Sequence, residues 1–102
     1  MISLDSYPVP TAAVVGRLVE HEAVLVLPEK AQVKVLNEVG ARIWALADGR
    51  RTLRQIAAAL SEEYAVDQPQ AEADTLDFVS RLAELGIVSF SAQPAPAGAA
   101  RP

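Results

Sequence analysis

The run Leu36-Asn37-Glu38-Val39-Gly40-Ala41-Arg42-Ile43-Trp44 constrains the fold of this chain more than any other stretch, because it joins an alternating strand directly to a capped helix. The strand side is Gln32-Val33-Lys34-Val35, whose polar–apolar alternation is that of a half-buried strand at a sheet edge. Asn37 is a good N-cap, since its side-chain oxygen can accept one of the N–H groups that a first helical turn leaves without a partner. Apolar residues then return at Val39, Ile43, Leu46 and Ala47, which is helical spacing. Asp48-Gly49 ends the helix, because glycine tolerates the left-handed conformation at a helix end. Thr52 with Gln55 opens the next helix in a capping-box pattern. No side chain in this block belongs to a catalytic constellation, and a conspicuous block without chemistry points to a binding module rather than an enzyme.

The flanks extend the pattern in both directions. Residues 1–10 hold two prolines and no clear period, and read as an N-terminal arm. Val14 to Val19 reads as a strand and Glu20-His21-Glu22 as a polar turn. Ala23-Val24-Leu25-Val26-Leu27 is apolar on both faces, as expected of a central strand covered on both sides. Pro28-Glu29-Lys30 makes the following turn. After Thr52, Ile56, Ala59 and Leu60 carry the second helix towards Tyr64. A third helix starts near Gln68, with Pro69 tolerated in its first turn, and runs to Leu85 before Gly86. Ile87 to Phe90 suits a short closing strand. Residues 91–102 are mostly Ala, Pro and Gly, a composition that cannot bury a core, and are expected to be a disordered tail. The expected fold is α+β: a small winged helix-turn-helix-like domain over residues 11–90, with a three-stranded antiparallel sheet followed by three helices.

Composition removes several function classes. At 102 residues the chain is one domain, and its 51% hydrophobic content suffices for one small core. The net charge of −4 argues against a general attraction to nucleic acid or anionic membrane, so neither is expected as a partner. The absence of cysteine removes disulfides, thiolate metal sites and cysteine nucleophiles together, and fits a cytoplasmic protein. The N-terminus lacks the basic start and apolar run of a signal peptide. His21, the single histidine, sits between two glutamates in a predicted turn, and adjacent donors are not spaced for one metal. Glycines occur singly, so there is no phosphate-cradling loop. No metal, cofactor or catalytic residue is expected.

On the third helix Leu76, Val79 and Ala83 share one face, and Phe78, Leu82 and Leu85 a flanking one. Two readings stay open from the residues: a deeply buried helix, or a helix whose Phe78–Leu82–Leu85 flank floors a groove shared with the neighbouring strand. Arg50, Arg51 and Arg54 cluster between the first two helices and could meet phosphate. The third helix, however, carries Glu72, Asp74, Asp77 and Glu84 against one cation, Arg81, which would repel a polyanion. A DNA-binding regulator is therefore disfavoured, and a structural or oligomerising module, dimeric through the third helix, stays open as a reading.

Taken together, Leu36 to Trp44, Asp48-Gly49, Thr52 to Ile56 and Phe78 to Gly86 resemble the PqqD-like family, over roughly Val14 to Val88. The resemblance implies a non-catalytic peptide chaperone. Such a domain recognises the leader region of a ribosomally made precursor peptide, in coenzyme PQQ biosynthesis or another modified-peptide pathway. It presents the peptide to a modifying enzyme such as a radical S-adenosylmethionine enzyme, a cyclase or a leader peptidase. In that family the leader lies as an added strand against the third strand and packs on the third helix. Carried over, this implies peptide binding by Gln32, Val33, Lys34 and Val35, with Phe78, Arg81, Leu82 and Leu85 opposite.

Overall fold

A computed structural model describes residues 2–12 and 14–94. The elements run β1 (Tyr7–Pro10), β2 (Val15–Val19), β3 (Glu22–Leu27), β4 (Gln32–Leu36), α1 (Glu38–Leu46), α2 (Leu53–Tyr64), α3 (Gln68–Glu84) and β5 (Val88–Ser91). The α+β class read from the sequence is what forms, with β2-β3-β4 as an antiparallel sheet followed by three helices. Glu20 and His21 link β2 to β3 in a two-residue hairpin, Glu20 at φ 57°. A single 3-10 turn over Pro28–Lys30, closed by Ala31 at φ 51°, leads into β4.

The helix ends follow their sequence signals. Asn37 Oδ1 accepts the Gly40 N–H at 2.9 Å. Thr52 Oγ1 accepts the Gln55 N–H at 3.1 Å, while Gln55 Oε1 accepts the Thr52 N–H at 2.8 Å, completing the capping box. Gly49 and Gly86 take φ 82° and 79° behind α1 and α3. The core lies between one face of the sheet and the helices: Ala23, Leu25 and Leu27 from β3, Leu36 from β4, and apolar residues of α1 and α2. From α3 it takes Ala71, Thr75, Val79 and Leu82, spaced as one helical stripe. The hydroxyl of Thr75 is buried there without a hydrogen-bond partner.

Two features differ from the sequence reading. Within the N-terminal arm, Tyr7–Pro10 is a strand, paired antiparallel with β5. The prolines are compatible with it because both fall on one side. Thr11 donates to Ile87 O at 2.9 Å, so strand alternation aims the N–H groups of Tyr7 and Val9 at β5 and leaves Pro8 and Pro10 facing away. That other side is also occupied. Gly49 donates to Pro8 O at 2.8 Å, Leu53 to Ser6 O at 3.1 Å and Arg54 to Leu4 O at 2.9 Å. The second difference is β3, which is covered on one face rather than two. Ala23, Leu25 and Leu27 are buried, while Val24 and Val26 are only half-buried, shielded by their own cross-strand neighbours. Of the expected disordered tail, residues 95–102 lie outside the described residues.

The single tryptophan shows how closely the sheet meets the helices. A Cβ on Gly16 of β2 would fall 2.7 Å from Trp44 Nε1, so the buried indole of α1 lies against bare backbone. Among the described residues no helix is long and apolar enough to cross a membrane.

Candidate functional site

β4 is, with β2, one of the two outer strands of its sheet, and one of its edges has no strand beside it. Which backbone groups face that edge follows from the β2–β3 hairpin. In a two-residue hairpin the closing pair, here Val19 and Glu22, exchanges both hydrogen bonds. Alternation then turns the N–H and C=O groups of Ala23, Leu25 and Leu27 towards β4, where their partners are Leu36, Lys34 and Gln32. Val33 and Val35 consequently present their N–H and C=O groups to the open edge. Their side chains lie on the sheet face away from the core, and those of Gln32 and Lys34 on the same face as Leu27 and Leu25.

Gln32 and Lys34 are nevertheless exposed, so no helix covers this part of the strand. α3 is tied to the chain near the strand's two ends, at Leu36 and at the 3-10 turn before Gln32. At the Leu36 end the Phe78 ring sits over α1, where a Cβ on Gly40 would meet Phe78 Cζ at 3.0 Å and Leu36 Cβ at 3.3 Å. At the other end Lys30 Nζ donates to Leu85 O at 3.1 Å. The seven-residue step from Phe78 to Leu85 spans about 10 Å at the rise of a helix. That matches roughly three residues of extended chain. The result is an open shelf, with polar backbone along one side and apolar side chains along the other.

Five of the eight residues expected to bind peptide are exposed: Gln32, Val33, Lys34, Val35 and Arg81. Phe78 and Leu85 are half-buried against the core, whereas Leu82 is 1% exposed and belongs to the core itself. Arg81 makes an ion pair with Asp77 one turn back, at the solvent side of the helix. Gly40 is the residue that sequence reasoning passed over. A glycine inside the first turns of α1 costs helix stability relative to alanine, and that cost was its one visible signal.

The other polar clusters are turned inward on the chain. Arg51 pairs with Asp48 at 2.6 Å, and Arg54 lies 3.5 Å from Asp5 and 3.7 Å from Glu72. A hollow of about 390 Å³ beside them is lined by Asp48, Arg50, Arg51 and Gln55. A smaller one, about 180 Å³, lies between the β2–β3 hairpin and α1, with Leu18, His21, Arg42 and Tyr64 on its walls. Arg42 holds Glu63 through two hydrogen bonds of 2.8 Å, which keeps the Glu63 carboxyl below the usual carboxylate range and raises the guanidinium in turn. Loss of water contact, with the Glu38 charge nearby, raises the Tyr64 phenol. Among the described residues no group of three or more His, Asp or Glu is placed to hold a metal ion.

Comparison with known proteins fits this geometry. The family described as coenzyme PQQ synthesis protein D matches residues 22–88. A solved structure of TbiB1 in complex with the TbiA(beta) leader peptide is similar at 32% identity and TM-score 0.74, over 79% of this chain and 94% of that one. A lasso peptide synthetase B1 complexed with its leader peptide is similar at 25% identity and TM-score 0.72, over 81% and 98%. The PqqD truncation of Methylobacterium extorquens PqqCD, described as a stand-alone recognition element for ribosomally synthesised and post-translationally modified peptides, reaches 30% identity and TM-score 0.72. It covers 87% of this chain and 95% of its own. No curated protein matches the chain.

Proposed function

The chain belongs to the PqqD family, and from that premise we propose that it binds the leader region of a ribosomally made precursor peptide as an added strand on β4 and presents it, without catalysis of its own, to a modifying enzyme. The observation that carries this reading is the open β4 edge at Val33 and Val35, standing beside the half-buried Phe78 and Leu85. Two solved relatives hold leader peptides, which supports the same assignment. The partner enzyme is of the radical S-adenosylmethionine, cyclase or leader-peptidase type, and the setting is the cytoplasm, where ribosomal precursors are made.

The energetics divide the work between backbone and side chains. Each new ladder bond contributes about 0.5–1.5 kcal/mol net, for any sequence able to extend. One large apolar side chain buried between Phe78, Leu85 and the stem of Lys34 contributes roughly 1.5–3 kcal/mol and depends on its identity. The backbone therefore holds the peptide and the shelf selects it. Lys34 and Arg81, both exposed, add less than about 1 kcal/mol each against leader carboxylates.

The test is fluorescence anisotropy with the labelled precursor peptide encoded beside this chain's gene. Val35→Pro removes an outward N–H that the fold does not use, and should weaken the peptide about tenfold or more while the melting temperature holds. Phe78→Ala should do the same to affinity, with some loss of stability. Unchanged affinity in Val35→Pro would dismiss the added-strand reading.

A further inference from the structure

The face of the sheet turned away from the core is made mostly of valine. Register places Val15, Arg17 and Val19 of β2, Glu22, Val24 and Val26 of β3, and Val33 and Val35 of β4 on it, so six of its eight residues are valine. Val15, Val19, Val33 and Val35 are 57%, 49%, 65% and 60% exposed. Strand preference alone does not account for this, since threonine has the same branched shape and would be wetted at no cost. An antiparallel sheet with one open face normally alternates apolar inward and polar outward. Here both faces are apolar and only one is covered.

We infer that this valine face is the docking surface for the modifying enzyme, and that the bound leader completes it; the inference rests on the peptide-binding reading above. In an antiparallel pair, residues directly opposite one another share a face. Leader residues opposite Val33 and Val35 therefore carry their side chains onto the valine face and add a fourth column to it. The neighbouring leader residues turn to the Phe78 shelf. One short peptide is thus read on two sides, by this chain on the shelf and by the enzyme on the outer face.

Area decides against a second copy as the occupant. The four most exposed valines offer on the order of 250 Å² of apolar side chain. A stable dimer needs about 800 Å² from each partner. A face of this size suits an enzyme that also grips the peptide, because the chain leaving the β4 edge supplies the rest of the contact. Charge states the chemistry of the partner further. Arg17 stands between Val15 and Val19, with Glu22 opposite Val19, and neither makes an ion pair among the described residues. The enzyme should therefore offer an apolar patch with a carboxylate for Arg17 and a cation for Glu22 at one side of it.

The experiment titrates the full chain with the modifying enzyme encoded beside it, with and without the precursor peptide, by biolayer interferometry. Wild type loaded with peptide should bind the enzyme at least about tenfold tighter than unloaded. Arg17→Glu and the double variant Val15→Thr/Val19→Thr lie two strands from the peptide edge. They should leave peptide anisotropy within about twofold of wild type and weaken capture of the loaded complex about tenfold. Arg17→Glu changes an exposed side chain and decides the matter should the double variant fail to fold. Equal enzyme affinity for wild type and Arg17→Glu, or affinity indifferent to peptide, overturns the inference while leaving peptide binding intact. A peptide-independent dimer in sedimentation velocity, lost in Val15→Thr/Val19→Thr, gives the face to a second copy and also overturns it. Failure of the wild type to bind peptide at all removes the underlying reading, and the inference with it.

Discussion

β1 and β4 are both outer strands of their sheets, and they are finished in opposite ways. β1 is closed along both sides, by β5 on one and by the N–H groups of Gly49, Leu53 and Arg54 on or just beside the other. Prolines at 8 and 10 remove the donors that would have faced outward. β4 has β3 on one side, and on the other the free groups of Val33 and Val35, without proline, bulge or covering element. An exposed edge invites unwanted pairing, and proteins usually blunt it. This chain blunts one edge thoroughly and leaves the outer edges of β2 and β4 without a neighbouring strand. At β4 the half-buried Phe78 and Leu85 lie near the two ends of the strand, which argues that this edge is kept for pairing.

The same substitution on the two strands gives the sharpest contrast. Val9→Pro deletes a bond to β5 and should cost on the order of 2–3 kcal/mol, visible as a clear drop in the thermal midpoint. Val35→Pro should leave that midpoint nearly unchanged. Equal destabilisation by both would erase the distinction between a used and an unused N–H. A smaller effect tests whether the open edge owes its shelf to α1. Gly40→Ala pushes a methyl to within 3.0 Å of the Phe78 ring, and should cost about 1–2 kcal/mol and weaken peptide binding severalfold. Thr75→Val removes a buried hydroxyl that has no partner and keeps the shape of the side chain. It should raise stability by about 1 kcal/mol with peptide affinity unaltered, separating the strength of α3 from the use of its flank.

The smallest effect concerns neither edge and serves as their baseline. Arg42 holds the Glu63 carboxyl below its ordinary range, so folding favours the ionised form. The pair contributes above the usual carboxylate range, and its contribution fades as pH falls through the depressed value. Glu63→Gln should melt only slightly below wild type at neutral pH, and the two curves should merge in acid. A gap that widened in acid would reverse the sign.

Local chemistry was the legible part of this sequence. Asn37, Thr52, Gln55, Gly49 and Gly86 state their roles through bonds within a few residues, so the helix boundaries could be read. The alternation at Gln32 to Val35 likewise marked an edge. β1 was hidden because proline reads as a breaker until its spacing is considered; two prolines two residues apart fit one side of a strand. The bare face of β3 was hidden because a run apolar on both sides does not say what will cover it. At the candidate site the missing facts are tertiary. Nothing near Val33 in sequence says which way its N–H points, since that is set by the hairpin at Glu20 and His21. Nothing near Leu82 tells core from shelf, and Gly40 shows its purpose only when Phe78 arrives from α3.

The contact of Trp44 with Gly16 has an optical consequence. The chain's one indole reports on whether β2 is seated on α1, and it packs against the strand of the sheet farthest from the β4 edge. Its emission should therefore follow unfolding and stay quiet during peptide titration. The protein carries a built-in gauge of its fold that ligand does not disturb, so stability and occupancy can be read in one cuvette as separate signals.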